Sequence, residues 1–186
     1  MRKNCVNPMN SMQRTMPIRI AILSFSLIFL YCSRIEPANN TAKNEKQRDL
    51  VPVNKYLVKK SEQNIINFVQ RKGWKMIETA TGLWYAIYEH GKGTQGEKGK
   101  SISFSYTISL LDGSKCYSSD SLGIKSFRIG SGHVESGLEE ASLLLREGDK
   151  ARIIMPPHLA FGMLGDNNKI PGQSSILYDL TVLQIK

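Results

Sequence analysis

The chain is poor in the residue types that build metal centres, disulfide frameworks and membrane spans. Its 186 residues include only three cysteines, and its three histidines, His90, His133 and His158, lack the spacing of metal ligands. The longest apolar run, from Ile20 to Tyr31, is shorter than the roughly 20 residues of an ordinary membrane-spanning helix. These absences argue against a zinc site and against a spanning helix in that run.

Motifs for nucleophilic or phosphate chemistry are also missing. The segment "GKGTQGEKGKS" has five residues between Gly93 and Gly99, where a phosphate-binding loop needs four. Ser101 then opens a strand instead of a helix, so this segment is interpreted as a hairpin loop. The serines around Asp120 do not form the strained elbow of a serine hydrolase.

Positive charge is concentrated before the predicted folded part. The net charge is +9, but residues 76–186 carry eleven Lys and Arg against twelve Asp and Glu. A nucleic-acid-binding domain would be expected to carry its basic residues on the folded face. We therefore expect no nucleic-acid partner.

The first residues are typical of an export signal. In "MPIRIAILSFSLIFLYC" an arginine precedes the apolar run, and Cys32 ends it, which resembles the acylated cysteine of a bacterial lipoprotein. We expect a signal peptide over 1–31, with translation starting at Met16, and a lipid on Cys32 that anchors the exported protein to the outer membrane on its periplasmic side. An uncleaved anchor helix is the alternative. With Cys32 acylated, Cys116 has no disulfide partner.

A polar tether and a helical arm follow the leader. Residues 33–51 lack aromatics and periodicity, which predicts disorder. "NKYLVKKSEQNIINFVQRKGW" has apolar residues at helical spacing, which predicts an arm over 54–71 within a segment 54–75, with Asn54 as N-cap and Gly73 as the stop. Its apolar side rests either on the main domain or on a second copy of the chain, as a homodimer.

Beyond the arm the apolar period changes to two. "SISFSYTISLLDG" alternates apolar and small polar residues before an Asp-Gly turn, and "TGLWYAIYEHG", "IKSFRIG", "DKARIIMP" and "SSILYDLTVLQIK" predict further strands. "VESGLEEASLLLREGD" predicts a short helix that ends at Gly148. We therefore expect an α+β domain over 80–186, in which an antiparallel sheet wraps one short helix.

One connection carries more apolar residues than a solvated loop needs. "MPPHLAFGMLGDNNKIP" is turn-rich, yet it contains Phe161 and Ile170, so it either covers the core or lines a pocket. With so few ionisable groups, the reaction that fits is rotation about an X–Pro bond, which needs neither nucleophile nor metal. A dry aromatic pocket favours the twisted amide over the more polar planar one.

Several ordered segments resemble the FK506-binding-protein (FKBP) type of peptidyl-prolyl cis-trans isomerase. They are "FSYTISLLDGSKCYSS", "FRIGSGHVESGLEEA", "LREGDKARIIMPPHLAFG" and "IPGQSSILYDLTVLQIK", within residues 80–186. With the leader and arm, the likeness narrows to the gliding-motility-associated FKBP-type lipoproteins of Bacteroidota. It implies an FKBP-like half-barrel sheet around the short helix, no cofactor and no metal, and proline-containing polypeptide clients.

The resemblance also implies the pocket residues. Catalytic positions would be Tyr106, Tyr117, Phe127, Phe161 and Tyr178, and substrate-binding positions Val134, Glu135, Leu138, Ile170 and Cys116. In this assignment the Glu135 backbone N–H donates to the substrate and Leu138 forms the floor. Tyr117 is a candidate for a substitute hydroxyl.

Three departures from the family pattern affect the expected activity. Family members usually have Phe-Asp where this chain has Cys116-Tyr117, Trp at Leu138 and Tyr at Phe161. The position of the first pocket Phe is ambiguous between Lys125 and Phe127. These changes predict a weak isomerase with poor affinity for macrolide inhibitors. The alternatives are a non-catalytic FKBP-like chaperone and a subunit of an envelope complex of the gliding-motility type.

Overall fold

A computed structural model describes the backbone of residues 41–186 and the side chains from residue 53 onward. The predicted signal peptide, the start at Met16, the acylated Cys32 and the tether up to residue 40 lie outside these residues. Within the described part, no helix combines the length and the apolar character needed to cross a bilayer.

The elements follow in the order that the change of period predicts. The helices are α1 (Thr41–Lys72), α2 (Ser119–Leu122) and α3 (Ser136–Leu144), with a 3-10 turn at Pro157–Leu159. The strands are β1 (Ile77–Glu78), β2 (Trp84–Glu89), β3 (Ser101–Leu110), β4 (Lys115–Ser118), β5 (Lys125–Arg128), β6 (Lys150–Met155) and β7 (Ile176–Ile185).

The strands form one open antiparallel sheet. Its order is β1-β2-β6-β7-β3-β4, and β5 pairs with β3. The long β3 pairs with β7 along its length, and its other edge carries β4 at one end and β5 at the other. This arrangement confirms the predicted α+β class with an antiparallel sheet.

The alternation in β3 determines which face of the sheet carries the main core. Ile102, Phe104, Tyr106 and Ile108 are buried, as the period of two predicts. They share one apolar cluster with residues of α3, including Leu138. The short helix therefore lies on this face of the sheet.

The opposite face of the sheet is covered by the C-terminal half of α1. Ile65, Phe68 and Val69 form a second cluster with Ile154 of β6 and Leu177 of β7. Neighbouring residues of β6 and β7 alternate between the two clusters, so α1 and α3 sandwich the sheet. Of the two surfaces considered for the arm, the domain's own sheet is the one that it contacts.

The helix α1 begins earlier than the sequence predicts. It starts at Thr41, so the predicted N-cap at Asn54 is too late, and residues 41–51 are helical instead of a disordered tether. Residues 42–50 are rich in Ala, Lys, Glu, Gln and Arg, which favour helix without an apolar period to reveal it. The predicted stop is confirmed, because Gly73 has a φ of 65° and Trp74 N–H donates to Val69 C=O at 3.2 Å.

The loop before β3 explains two further differences. The strands β2 and β3 are not neighbours in the sheet, so the segment around Gly96 is not a hairpin loop. Instead Gly96 N–H donates to the Leu145 C=O at 2.9 Å and the Gln95 side chain to the Leu143 C=O at 2.8 Å. The helix α3 ends at Leu144 under these contacts, and Gly148 lies in a later turn with a φ of 91°.

Candidate active site

The ten residues predicted to line a pocket lie together on the α3 side of the sheet. Nine belong to one apolar cluster: Tyr106, Cys116, Leu138, Ile170 and Tyr178 are buried, and Tyr117, Phe127, Val134 and Phe161 are half-buried around them. The tenth, Glu135, is the N-cap residue of α3, and its carboxylate lies 3.1 Å from the Tyr178 hydroxyl.

The hollow that the sequence predicts would be lined by aromatic rings from three strands. The ring centroids of Tyr106 and Tyr178 lie 5.9 Å apart, and Phe104 contacts Tyr106 and Phe127 edge-on at 6.0 and 6.2 Å. Such a surface is largely apolar and has little freedom to rearrange, which suits a rigid ring such as that of proline.

Two hydrogen-bond donors of the predicted site have no partner among the described residues. Glu135 C=O begins the helical ladder by accepting from the N–H groups of Leu138 and Glu139. Among the described residues, no group accepts from the Glu135 N–H, as expected at a helix N-terminus. The Tyr106 hydroxyl likewise has no hydrogen-bond partner within residues 53–186, and burial followed by the nearby Glu135 carboxylate raises the pKa of Tyr106. The Tyr106 hydroxyl therefore keeps its proton at neutral pH and can act as a donor, as the Glu135 N–H can.

A charged pair that the sequence did not reveal lies over the tyrosine wall. Lys125 Nζ donates to both carboxylate oxygens of Glu135, at 3.3 and 3.0 Å, and to the Tyr178 hydroxyl at 3.2 Å. The Tyr178 hydroxyl in turn donates to Glu135. Burial and then the Glu135 carboxylate raise the pKa of Tyr178, so its hydroxyl keeps its proton. The Tyr178 side chain is 0% exposed in this structure, so a ligand reaches its ring only after neighbouring side chains move.

The loop that carries Phe161 and Ile170 is fixed by Asp166. Its carboxylate accepts from the backbone N–H groups of Asn168 at 2.9 Å and Ile170 at 2.8 Å, and from the Tyr117 hydroxyl. The Tyr117 hydroxyl therefore binds the loop and is not free to donate to a substrate carbonyl while this bond persists. Its role as a substitute donor stays a prediction.

The Asp166 contacts predict an acid-sensitive loop. Burial acts to raise the pKa of Asp166, but the hydrogen bonds from Tyr117, Ile170 and Asn168 outweigh it and lower the pKa. Because the folded-state pKa lies below the unfolded one, the stabilisation is present above that unfolded value and is lost as pH falls through the folded value. Asp166→Ala should lower the Tm near neutral pH, and the difference from the wild type should shrink as the pH falls below about 4, the ordinary pKa of an aspartic acid.

Thermal unfolding of both proteins across this pH range is the measurement. Asn168→Ala is the matched control, because only its backbone N–H contacts Asp166. A Tm difference for Asp166→Ala that stays constant with pH would contradict the role of the ionised carboxylate.

A separate cleft lies on the other side of the loop. It has a volume of about 550 Å³ and is lined by α1 and by the 157–173 connection, including Leu57, Val58 and Met163. Its walls hold none of the aromatic residues of the hollow. The predicted site residues instead meet in the aromatic cluster around Tyr106 and Tyr178, and we assign the site to that cluster.

Comparisons with known proteins show the family to which the chain belongs. A family model for FKBP-type peptidyl-prolyl cis-trans isomerases matches residues 92–183. FK506-binding protein 2 of Dictyostelium discoideum is 36% identical over 90 residues, which are 48% of this chain and 68% of that protein. The chain belongs to the FKBP-type peptidyl-prolyl cis-trans isomerases, a family of enzymes.

Two other FKBP proteins define how far the likeness extends. FkpA of Escherichia coli K12 is 32% identical over 120 residues, which are 64% of this chain but only 43% of FkpA. The crystal structure of AtFKBP13 superposes with a TM-score of 0.58 at 27% identity and covers 61% of this chain and all of that one. The shared part is thus the isomerase domain, whereas the leader and the whole of α1 precede the residues that the family model matches.

Sequence reasoning missed Lys125 and Asp166 as parts of the FKBP site. The sequence offers one indication for Lys125, because either Lys125 or Phe127 aligns with the first pocket phenylalanine of the family. Asp166 lies in "GDNN", which reads only as turn chemistry. Neither contact could be derived from spacing, since Lys125 meets Tyr178 across 53 positions and Asp166 meets Tyr117 across 49.

Proposed function

We propose that this FKBP-type protein catalyses cis-trans isomerisation of X–Pro bonds in exported polypeptides. The observation that carries the proposal is the cluster of aromatic rings, with Tyr106 and Tyr178 centroids 5.9 Å apart, beside two donors, the Glu135 N–H and the Tyr106 hydroxyl, that have no partner among the described residues. Membership of the isomerase family supports the same reaction.

The mechanism follows from the polarity of the amide. Twisting the X–Pro bond breaks the amide resonance and makes the C–N unit less polar, at a barrier of roughly 20 kcal/mol. A water-poor site solvates the planar form poorly and the twisted form comparatively well. It therefore lowers the free-energy barrier between the planar and the twisted amide. In this proposal the proline ring packs against Tyr106 and Tyr178.

Two donors would hold the polypeptide while the bond rotates. In this proposal the Glu135 N–H donates a hydrogen bond to one flanking carbonyl. The Tyr106 hydroxyl donates to another, in place of the tyrosine hydroxyl that the chain lacks at Phe161. Each such bond contributes on the order of 1 kcal/mol. The Leu138 side chain forms a smaller floor than the tryptophan usual in the family, so we expect turnover below that of typical family members.

The cellular setting of the proposal rests on the leader. An apolar run ending at Cys32 supports export and acylation, which would anchor the protein to the outer membrane. A place among the gliding-motility-associated lipoproteins is the narrower form of this proposal. Self-association would use the exposed apolar residues Val53, Tyr56 and Val58 of α1, since Ile65, Phe68 and Val69 already contact the sheet.

A non-catalytic binding module is the second candidate. The observation in its favour is the Lys125–Glu135 ion pair, whose ammonium lies over the Tyr178 ring and opposes close packing of a proline ring against it. Such a protein would hold prolyl segments or an envelope partner without accelerating rotation.

Turnover of an X–Pro peptide by the purified chain, from residue 41 onward, separates the two candidates. The isomerase proposal predicts a cis-to-trans rate that rises linearly with protein concentration above the uncatalysed rate, whose time constant is tens of seconds at 25 °C. Binding of the peptide without any rise in rate would leave only the binding module.

A further inference from the structure

The Lys125–Glu135 pair lies where a bound ring would pack, so a ligand must rearrange a charged group in order to bind. The Lys125 ammonium lies 5.7 Å from the centroid of the Tyr178 ring and 3.2 Å from its hydroxyl. Lys125 is 26% exposed and Glu135 only 9%, so the ammonium is the more mobile partner. A ring that packs on Tyr178 must displace this ammonium from its position over the ring.

The displacement leaves one donor of Lys125 without its acceptor. An ammonium has three N–H donors, and in the resting structure they are directed at the two oxygens of Glu135 and at the Tyr178 hydroxyl. When the ammonium moves towards the mouth, its contacts with Glu135 can persist because the lysine stem is flexible, but the contact with Tyr178 is lost. The best replacement acceptor is a carboxylate, because hydrogen bonds between charged groups are about twice as strong as neutral ones.

A second lysine lies beside another residue of the predicted site, Tyr117. Lys169 is exposed, and its Nζ lies 5.4 Å from the centroid of the half-buried Tyr117 ring. It forms no ion pair with any carboxylate among the described residues. The Asp166 carboxylate nearby is already held by Tyr117 and by backbone N–H groups.

We propose that Lys125 is a specificity-determining residue that makes the hollow prefer prolines with an acidic neighbour over prolines with an apolar one. This inference rests on the proposed function, since it names the polypeptides that the same hollow accepts. A client with an acidic residue next to its proline supplies the acceptor that the displaced ammonium lacks. An apolar residue beside the proline offers no acceptor to the Lys125 N–H that has lost the Tyr178 hydroxyl. Displacing the ammonium is then unfavourable, and the peptide binds more weakly.

The test compares two peptides that differ only in the residue before proline, Glu–Pro and Leu–Pro. Their affinities are measured by calorimetry and their kcat/KM values by the isomerisation assay. Lys125→Met keeps the length of the stem but removes the ammonium. We expect the ratio of the Glu–Pro to the Leu–Pro value, for affinity and for kcat/KM, to fall about tenfold in this variant, a size that one hydrogen bond to a charged group supports. Most of the change should come from a higher affinity and kcat/KM for Leu–Pro.

Three further variants show whether charge at this position is responsible. Lys125→Arg should retain the preference for Glu–Pro, and Glu135→Gln should increase it, because the ammonium then has no carboxylate of its own while the backbone N–H is unchanged. Lys115→Met, which removes an exposed lysine paired with Asp120 at 3.8 Å, should leave the ratio unchanged.

Affinity and turnover together separate the two proposals. If no peptide is turned over but the affinity ratio shifts in Lys125→Met, the isomerase function is wrong and the selectivity stands. If turnover is normal but both ratios are the same in Lys125→Met and the wild type, the role of Lys125 is wrong. If Lys125→Met does not fold, Glu135→Gln provides the test. A Glu–Pro to Leu–Pro ratio in Glu135→Gln equal to that of the wild type also overturns the inference.

Discussion

Phe161→Ala should reduce kcat/KM for an X–Pro peptide by at least about tenfold while lowering the Tm only slightly. The ring is half-buried at the edge of the aromatic hollow, so part of its surface is available to a ligand. An aromatic side chain in such a place contributes a large apolar contact area, and its removal also admits water to the bond that rotates. The isomerisation assay with equal concentrations of folded wild type and variant measures the effect.

The same loop offers a matched control for Phe161. Leu164 is 83% exposed, so Leu164→Ala removes an apolar side chain of this loop without touching the hollow. We expect its kcat/KM to equal that of the wild type. Equal activities of Phe161→Ala and the wild type would show that the loop only covers the core, and would remove Phe161 from the site.

Phe68→Ala should lower the free energy of unfolding by about 3–4 kcal/mol, the range for a buried phenylalanine. The side chain is 4% exposed, packs edge-on against Trp74 with ring centroids 5.6 Å apart, and shares a cluster with Ile154 and Leu177 of the sheet. Its removal leaves a cavity between α1 and the sheet that neither rigid element can fill. Denaturant unfolding followed by circular dichroism gives the value.

Tyr56→Ala is the control on the same helix. Tyr56 is 64% exposed and should cost little stability when truncated. If Phe68→Ala proved as mild as Tyr56→Ala, the arm would not be packed on the domain in solution. A large effect means that the arm and the isomerase domain unfold together. A fragment of residues 80–186 would then expose Ile154 and Leu177, so activity should be measured on the chain that includes the arm.

The parts of the fold that the sequence predicts are those set by local pattern. The alternation in β3 places Phe104 and Tyr106 on the buried face, and the Asp112-Gly113 turn joins β3 to β4 with Ser114 N–H bonded to the Asp112 carboxylate at 2.8 Å. Each depends on residues close in sequence, where the period of a strand or the chemistry of a turn is sufficient.

The remaining features depend on contacts between distant residues or on propensity without a pattern. The short strand β4 was not predicted, because "KCYS" has no alternation long enough to recognise. Glu135 was placed at the pocket for its backbone N–H alone, and its pairing with Lys125 and Tyr178 appears only when β5, α3 and β7 are brought together. The early start of α1 depends on helix propensity, which is a weak guide by itself.

The central claim is that an X–Pro segment binds in the hollow between α3 and the sheet. Titration of isotope-labelled protein with a prolyl peptide, followed by two-dimensional NMR, tests it most directly. The account predicts that the largest shifts occur at the Glu135 amide and at the Tyr106 and Tyr178 rings. Shifts confined to Leu57, Val58 and Met163, in the cleft beside α1, would contradict it.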